Sequence, residues 1–186
     1  MTTPADDGIA HALRNAGLDP DAPPALLLVS ACLLGRPVRY DGRDKYTPLL
    51  LQRLAPWCRF TALCPEVGAG LGTPRPPIAL YETSAGVRLQ GCDDRQRDVT
   101  VAVRDQVQRV TNVHGALLKA RSPSCGLGTA VLHQADGSHS LTDGAFSSAL
   151  RAQHPLLPIA DEVSLQQPAR LQNFVLAVWR YRQGID

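Results

Sequence analysis

Little net charge of either sign is carried by this chain of 186 residues: 19 Lys and Arg against 17 Asp and Glu leave a formal +2. That balance gives no basic surface of the size duplex DNA requires, and it disfavours RNA as a partner. No run of apolar residues reaches the length of a membrane span. The opening Met1-Thr2-Thr3-Pro4-Ala5-Asp6-Asp7 lacks a cationic stretch followed by an apolar one. A cytoplasmic protein is therefore expected, one that engages neither membrane nor DNA. The 5 cysteines are an odd number and contain no C-x-x-C pair, which speaks against a disulfide framework and against a closed zinc site with its paired spacing. None of the 5 histidines sits at ligand spacing from another, and neither an internal repeat nor a low-complexity tract is present.

What the chain does have is enough apolar sequence, 44% of its residues, for one globular domain with a full core. Ile9, Leu13 and Leu18 mark an amphipathic helix that ends at Asp19-Pro20, and residues 1–24 read as a helix-and-linker extension before a main domain over 25–186. Ala25-Leu26-Leu27-Leu28-Val29 is unbroken in its apolar character, as a parallel strand covered on both faces must be. Thr47 to Leu54 reads as a helix with Thr47 as N-cap and Pro48 in the first turn, where a missing N–H costs nothing. A strand over Phe60-Thr61-Ala62-Leu63 follows, giving strand-helix-strand order. Beyond a Gly- and Pro-rich loop, Ile78–Glu82 and Gly86–Gln90 form a hairpin through Ser84-Ala85-Gly86. Asp98 or Thr100 caps a helix whose face is Val99, Val103, Val107 and Val110. Further strands are expected near Ala116-Leu117-Leu118, over 129–133 and over 156–160, with helices over 143–153 and 168–182. The fold class is α/β: a single three-layer, Rossmann-like domain with a mostly parallel central sheet.

Cys32, Cys64 and Cys125 each lie in a loop directly after one of these strands. In an open α/β sheet, ligands bind outside the carboxyl ends of the strands, so three thiols delivered there are expected to converge on one point. Isolated cysteines on three loops suit a cuboidal iron–sulfur cluster, whose separate irons take separate ligands. With three cysteines, one iron is left open to act as a Lewis acid. Cys58 and Cys92 read as ordinary small hydrophobes.

The motifs around these cysteines are Ser30-Ala31-Cys32-Leu33-Leu34-Gly35 with Val38-Arg39-Tyr40-Asp41-Gly42, then Cys64-Pro65-Glu66-Val67 with Gly70-Leu71-Gly72-Thr73-Pro74-Arg75-Pro76-Pro77. After Asp98-Val99-Thr100 comes Leu118-Lys119-Ala120-Arg121-Ser122-Pro123-Ser124-Cys125-Gly126. In order and spacing, from about Leu26 to Cys125, this set resembles the thiouracil desulfidase family, formerly catalogued as domain-of-unknown-function family 523. The likeness fades after Gly128. It implies a 4Fe-4S cluster held by Cys32, Cys64 and Cys125 with one open iron, and hence dependence on iron–sulfur assembly machinery. It also implies removal of sulfur from a thiolated pyrimidine without net redox change, the substrate being thiouracil or a thiouridine nucleotide.

In that reading a thiocarbonyl sulfur binds the open iron and water attacks the ring carbon. Glu66 serves as general base or proton shuttle, its carboxyl pKa raised by burial, and Ser122 or Ser124 hydrogen-bonds the bound sulfur. Ser30, Arg39, Lys45, Lys119 and Arg121 lie in or beside the same loops as candidate substrate contacts, the basic ones for a nucleotide phosphate. Simpler roles fit the same residues: Glu66 as a loop ion-pair partner of Arg75 or Arg39, the serines as turn formers around Pro123, the basic residues as solvated charges. A different class also fits, a non-catalytic metal- or nucleotide-binding module or a sulfur or cluster carrier. A carrier needs exposed, labile thiols, whereas prolines and glycines that rigidify surround these.

Overall fold

The computed structural model describes residues 4–185, with side chains from residue 8 onward. Its centre is an all-parallel sheet of four strands in the order β2-β1-β5-β8, formed by β1 (Ala25–Ser30), β2 (Cys58–Leu63), β5 (Gly115–Leu118) and β8 (Ile159–Asp161). β1 is the central strand of the site: it pairs with β2 from Ala25↔Cys58 to Ser30↔Leu63, and with β5 from Leu27↔Gly115 to Val29↔Leu117. β8 adds itself outside β5, with Leu118 opposite Asp161.

The unbroken apolar run in β1 is explained by the packing on its two faces. Leu27 and Val29 join one core with Leu13, Leu51, Leu54, Val175 and Trp179, from α1 (Pro4–Asn15), α2 (Pro48–Leu54) and α6 (Pro168–Gln183). Leu28 joins another with Val103, Phe146 and Leu150, from α4 (Thr100–Arg104) and α5 (Ala145–Gln153), and with Leu80 and Leu89 from the hairpin. A fully buried Leu contributes about 1.5–3 kcal/mol relative to an exposed one, so a polar residue in place of Leu27, Leu28 or Val29 would be costly. Ile9, Leu13 and Leu18 are buried in the first of these cores, so the N-terminal segment packs against the main domain.

The hairpin is β3 (Ile78–Thr83) and β4 (Gly86–Gly91), in register from Ile78↔Gly91 to Thr83↔Gly86. The α/β domain with its parallel sheet is as the sequence leads one to expect; a second, mixed sheet is an addition to it. β3 also pairs in parallel with β6 (Ala130–His133), and β6 pairs antiparallel with β7 (His139–Thr142), giving the order β4-β3-β6-β7. The valine face is buried as expected at Val99, Val103, Val107 and Val110, although only Thr100–Arg104 is α-helical and Asp105–Arg109 continues as 3-10. Asp98 accepts the Thr100 N–H at 2.8 Å. Thr47 makes no cap bond to its helix; its hydroxyl donates to the Leu33 carbonyl at 3.4 Å, tying the start of α2 to the turn that carries Cys32.

Candidate functional site

Each strand of the parallel sheet is followed by a cysteine or a charged side chain that lines one cavity. β1 runs into a 3-10 turn, Ala31–Leu34, that places Cys32, and Gly35 closes the turn with φ 83°, a conformation that favours glycine. The Cys32 carbonyl accepts the Lys45 N–H at 2.9 Å, pinning the two ends of the long β1–α2 connection together. β2 ends at Leu63 and Cys64 follows at the N-cap of the short helix α3 (Pro65–Gly68), its thiol 3.9 Å from the Val38 carbonyl.

The third cysteine lies in the loop after β5, where its backbone is clamped from two sides. The Ser122 hydroxyl oxygen accepts the N–H groups of Ser124 at 3.2 Å and Cys125 at 3.1 Å. The first N–H groups of α5, those of Ala145 and Phe146, donate to the Pro123 and Ser124 carbonyls, both at 2.9 Å, which satisfies donors that a helix start otherwise leaves open. Gly144 is required for this contact, because a Cβ there would lie 2.5 Å from the Ser124 carbonyl oxygen. Cys125 is thus presented by a loop with little freedom.

Cys32, Cys64 and Cys125 all line one cavity of about 670 Å³ at the carboxyl end of the sheet. Burial pushes the Cys32 thiol up to about 11 and raises the other two as well. Beyond burial, the thiols act on one another: Cys64 raises Cys32, and both raise Cys125. Lys119 and Arg39 pull Cys32 the other way, and a hydrogen bond with Ser30 does so for Cys125. Such thiols are poor nucleophiles as they stand and become thiolates only against a positive centre. Among the described residues, no three His, Cys, Asp or Glu groups are arranged to hold one metal ion. A polynuclear metal–sulfide centre, which gives each thiolate its own metal, suits three thiols spread around a cavity of this size. Cys58, at the start of β2, belongs to the core and burial pushes it up to about 12; Cys92 is exposed. Neither lines the cavity.

Glu66, on α3, is one half of a buried ion pair. Its Oε2 accepts from Arg75 Nε at 3.0 Å and from an Arg75 terminal nitrogen at 2.8 Å, and Arg75 also donates to the carbonyls of Gly72 and Val38. The ion-pair role that the sequence offered for Glu66 is therefore occupied, and Arg75, 8% exposed, is the residue that cross-links the loop after β2 to the loop after β1. The other oxygen, Oε1, accepts from the Ser124 hydroxyl at 2.8 Å. Ser124 itself is wholly buried and does not line the cavity, so its hydroxyl serves Glu66; Ser122 lines the cavity but spends its oxygen on the turn.

The basic candidates separate into two kinds. Arg39, Lys45 and Arg121 line the mouth, where Arg39 pairs loosely with Asp41 at 3.4 Å and lies over the Tyr40 ring. Lys119 lines the cavity too, but its ammonium lies 2.5 Å from Glu162 Oε1. Ser30 accepts the Lys119 N–H at 3.0 Å. Glu162, directly after β8, is a cavity residue that sequence reasoning missed. The signal was present: an apolar run followed at once by Asp161-Glu162 repeats the strand-then-function order that singles out the cysteines. No helix among the described residues is long and apolar enough to cross a membrane.

A family model described as 2-thiouracil desulfurase matches residues 27–162. Among solved structures, that of TudS, described as a 4Fe-4S-dependent thiouracil desulfidase, is similar to this chain. The TM-score is 0.60 at 30% sequence identity, over 80% of this chain and 98% of that one. No curated protein matches this chain.

Proposed function

The chain belongs to the 2-thiouracil desulfurase family, and on that premise we propose that it is a non-redox desulfidase that exchanges the thiocarbonyl sulfur of a thiolated pyrimidine for oxygen. Cys32, Cys64 and Cys125 would hold a 4Fe-4S cluster, which three protein ligands would leave with one open iron. The observation that carries this reading is the meeting of two buried thiols, Cys32 and Cys125, and the half-buried Cys64, from three adjacent parallel strands, in one cavity large enough for a cluster and a pyrimidine. When bound, such a cluster supplies an open Lewis-acid position for which a soft thiocarbonyl sulfur is a fitting ligand.

The chain's own residues do the rest. Glu66, fixed by Arg75 on one oxygen and Ser124 on the other, takes a proton from the attacking water at Oε1. Because Ser124 and Arg75 hold the carboxylate from two sides, it needs no rearrangement to act, which is the advantage of a preorganised base. Arg39, Lys45 and Arg121 at the mouth take a nucleotide phosphate where the substrate has one. In balance, thiocarbonyl plus water gives carbonyl plus hydrosulfide and one proton, with no electron transferred. The cluster comes from iron–sulfur assembly machinery in a reducing compartment, the cytoplasm.

Incubation of the anaerobically reconstituted protein with 2-thiouracil or 4-thiouridine monophosphate, without an electron donor, tests the reading. Release of hydrosulfide and the oxo-pyrimidine in equal amounts is expected; an absolute requirement for a reductant would overturn it.

A further inference from the structure

Five ion pairs are formed among the described residues, and in two of them both side chains are largely buried: Glu66–Arg75 and Lys119–Glu162. Both line the cavity. A buried pair is poor value for stability, since well-packed apolar residues in its place are often neutral or better, so its retention at a site calls for a functional reason. The first pair holds the base assigned above. The second holds a lysine that the sequence offered only as a phosphate contact, and its glutamate has no role in that reading.

Its geometry is closely determined. Leu118 and Asp161 are the last register partners of β5 and β8, so Lys119 and Glu162 are the next residues along two adjacent parallel strands. Glu162 is 7% exposed and both its oxygens are used: Oε1 accepts from Lys119 Nζ at 2.5 Å, and Oε2 accepts the Ala120 N–H at 2.7 Å. Lys119 Nζ donates also to the Ala120 carbonyl at 2.8 Å. An ammonium has three donors, and these two bonds leave one. A free lysine on a phosphate-binding rim would be mobile and exposed; this one has a side chain only 19% exposed and lines the cavity together with Ser30 and Cys32.

We propose that Lys119 is a catalytic residue that presents one fixed N–H to the reacting face of the pyrimidine, and that Glu162 acts through it as a positioning residue. Water attack on a thiocarbonyl carbon drives negative charge onto the sulfur and across the conjugated ring. An ammonium held nearby on a side chain only 19% exposed stabilises that charge more than it stabilises the neutral substrate. This inference rests on the desulfidase reading, and it moves Lys119 from the phosphate to the site of reaction. The carboxylate of Glu162 orients the ammonium and does not itself meet the substrate.

The test uses the reconstituted full chain with Lys119→Met, Glu162→Gln and the double variant. Lys119→Met is expected to lower kcat at least about tenfold with KM changed less than about threefold, the pattern of an interaction made only in the transition state. Glu162→Gln is expected to lower kcat as well, and the double variant to be no worse than Lys119→Met alone, because a residue acting through another adds nothing once that other is gone. The double variant leaves no unpaired charge and keeps the comparison valid if a single variant folds poorly. Independently of turnover, Lys119→Met should move the cluster's midpoint potential to a more negative value, since a nearby cation favours the reduced form. Parent-like kcat in Lys119→Met, additive losses in the double variant, or an unchanged potential would each overturn the proposal. A parent protein that released no hydrosulfide would instead remove the desulfidase reading, while the potential would still report whether Lys119 stands beside the metal centre.

Discussion

The Glu66 carboxylate and the Ser124 hydroxyl meet at 2.8 Å, joining the loop after β2 to the loop after β5. Because Ser124 lies beside Cys125 and Glu66 lies two residues beyond Cys64, this one hydrogen bond couples the positions of two proposed ligands to the proposed base. Glu66→Gln keeps the volume and the Ser124 contact while removing the charge. Turnover is expected to fall on the order of a hundredfold or more, with the cluster's visible absorption retained. Ser124→Ala leaves Glu66 Oε1 without its donor, and a loss of about 1–2 kcal/mol in denaturant unfolding is expected together with slower turnover. Loss of the cluster in Glu66→Gln would make Glu66 structural, and turnover at the parent rate would assign proton transfer to another group.

Thiol chemistry should separate the two cysteines outside the cavity. Burial pushes the Cys58 thiol up to about 12, whereas Cys92 is exposed. At mildly alkaline pH, iodoacetamide is expected to label Cys92 in the native protein and Cys58 only after denaturation. Mass spectrometry of peptides from native and unfolded samples reads this directly; rapid native labelling of Cys58 would contradict its place in the core.

The hidden strand junction between β1 and the start of β5 should respond to acid. His114 accepts the Leu26 N–H on Nδ1 at 2.9 Å, and burial, with Arg182 nearby, holds its pKa below the usual imidazole value. The native imidazole is therefore neutral where the unfolded one takes up a proton. The stability this gives is complete above the unfolded value of about 6.5 and is lost as pH falls through the folded value. Melting temperature is expected to decline from about pH 6.5 toward pH 5, and to decline less in His114→Gln, whose amide oxygen can keep the bond to Leu26 but does not titrate in that range. An equal decline in both proteins would place the acid sensitivity elsewhere.

The sequence made the cysteine-bearing strand ends, the hairpin and the valine face legible because each is a local pattern: an apolar run, a two-residue turn, a spacing of three and four. What it hid was long-range. β7 is four residues with an exposed Leu141 and becomes a strand only through pairing with β6. β8 is three residues, too short for any periodicity, and the apolar run of 156–160 that suggests it begins in a turn where Leu156 is 72% exposed. Glu162 had a local signal, its place directly after an apolar run, but its pairing with Lys119 depends on a register shared with β5 that the sequence does not show. Ser124 and Ser122 show a further limit: adjacency to Cys125 says that a serine is near the site, but only the backbone's course decides which hydroxyl turns to Glu66 and which to the turn.

Metal stoichiometry tests the central claim most directly. Anaerobically reconstituted parent protein is expected to hold about four iron and four sulfide per chain, with Cys58→Ala and Cys92→Ala equal to it and each of Cys32→Ala, Cys64→Ala and Cys125→Ala failing to keep a stable cluster. Full cluster loading in any one of those last three variants, or tight zinc binding with no cluster formed in the parent, would contradict the account.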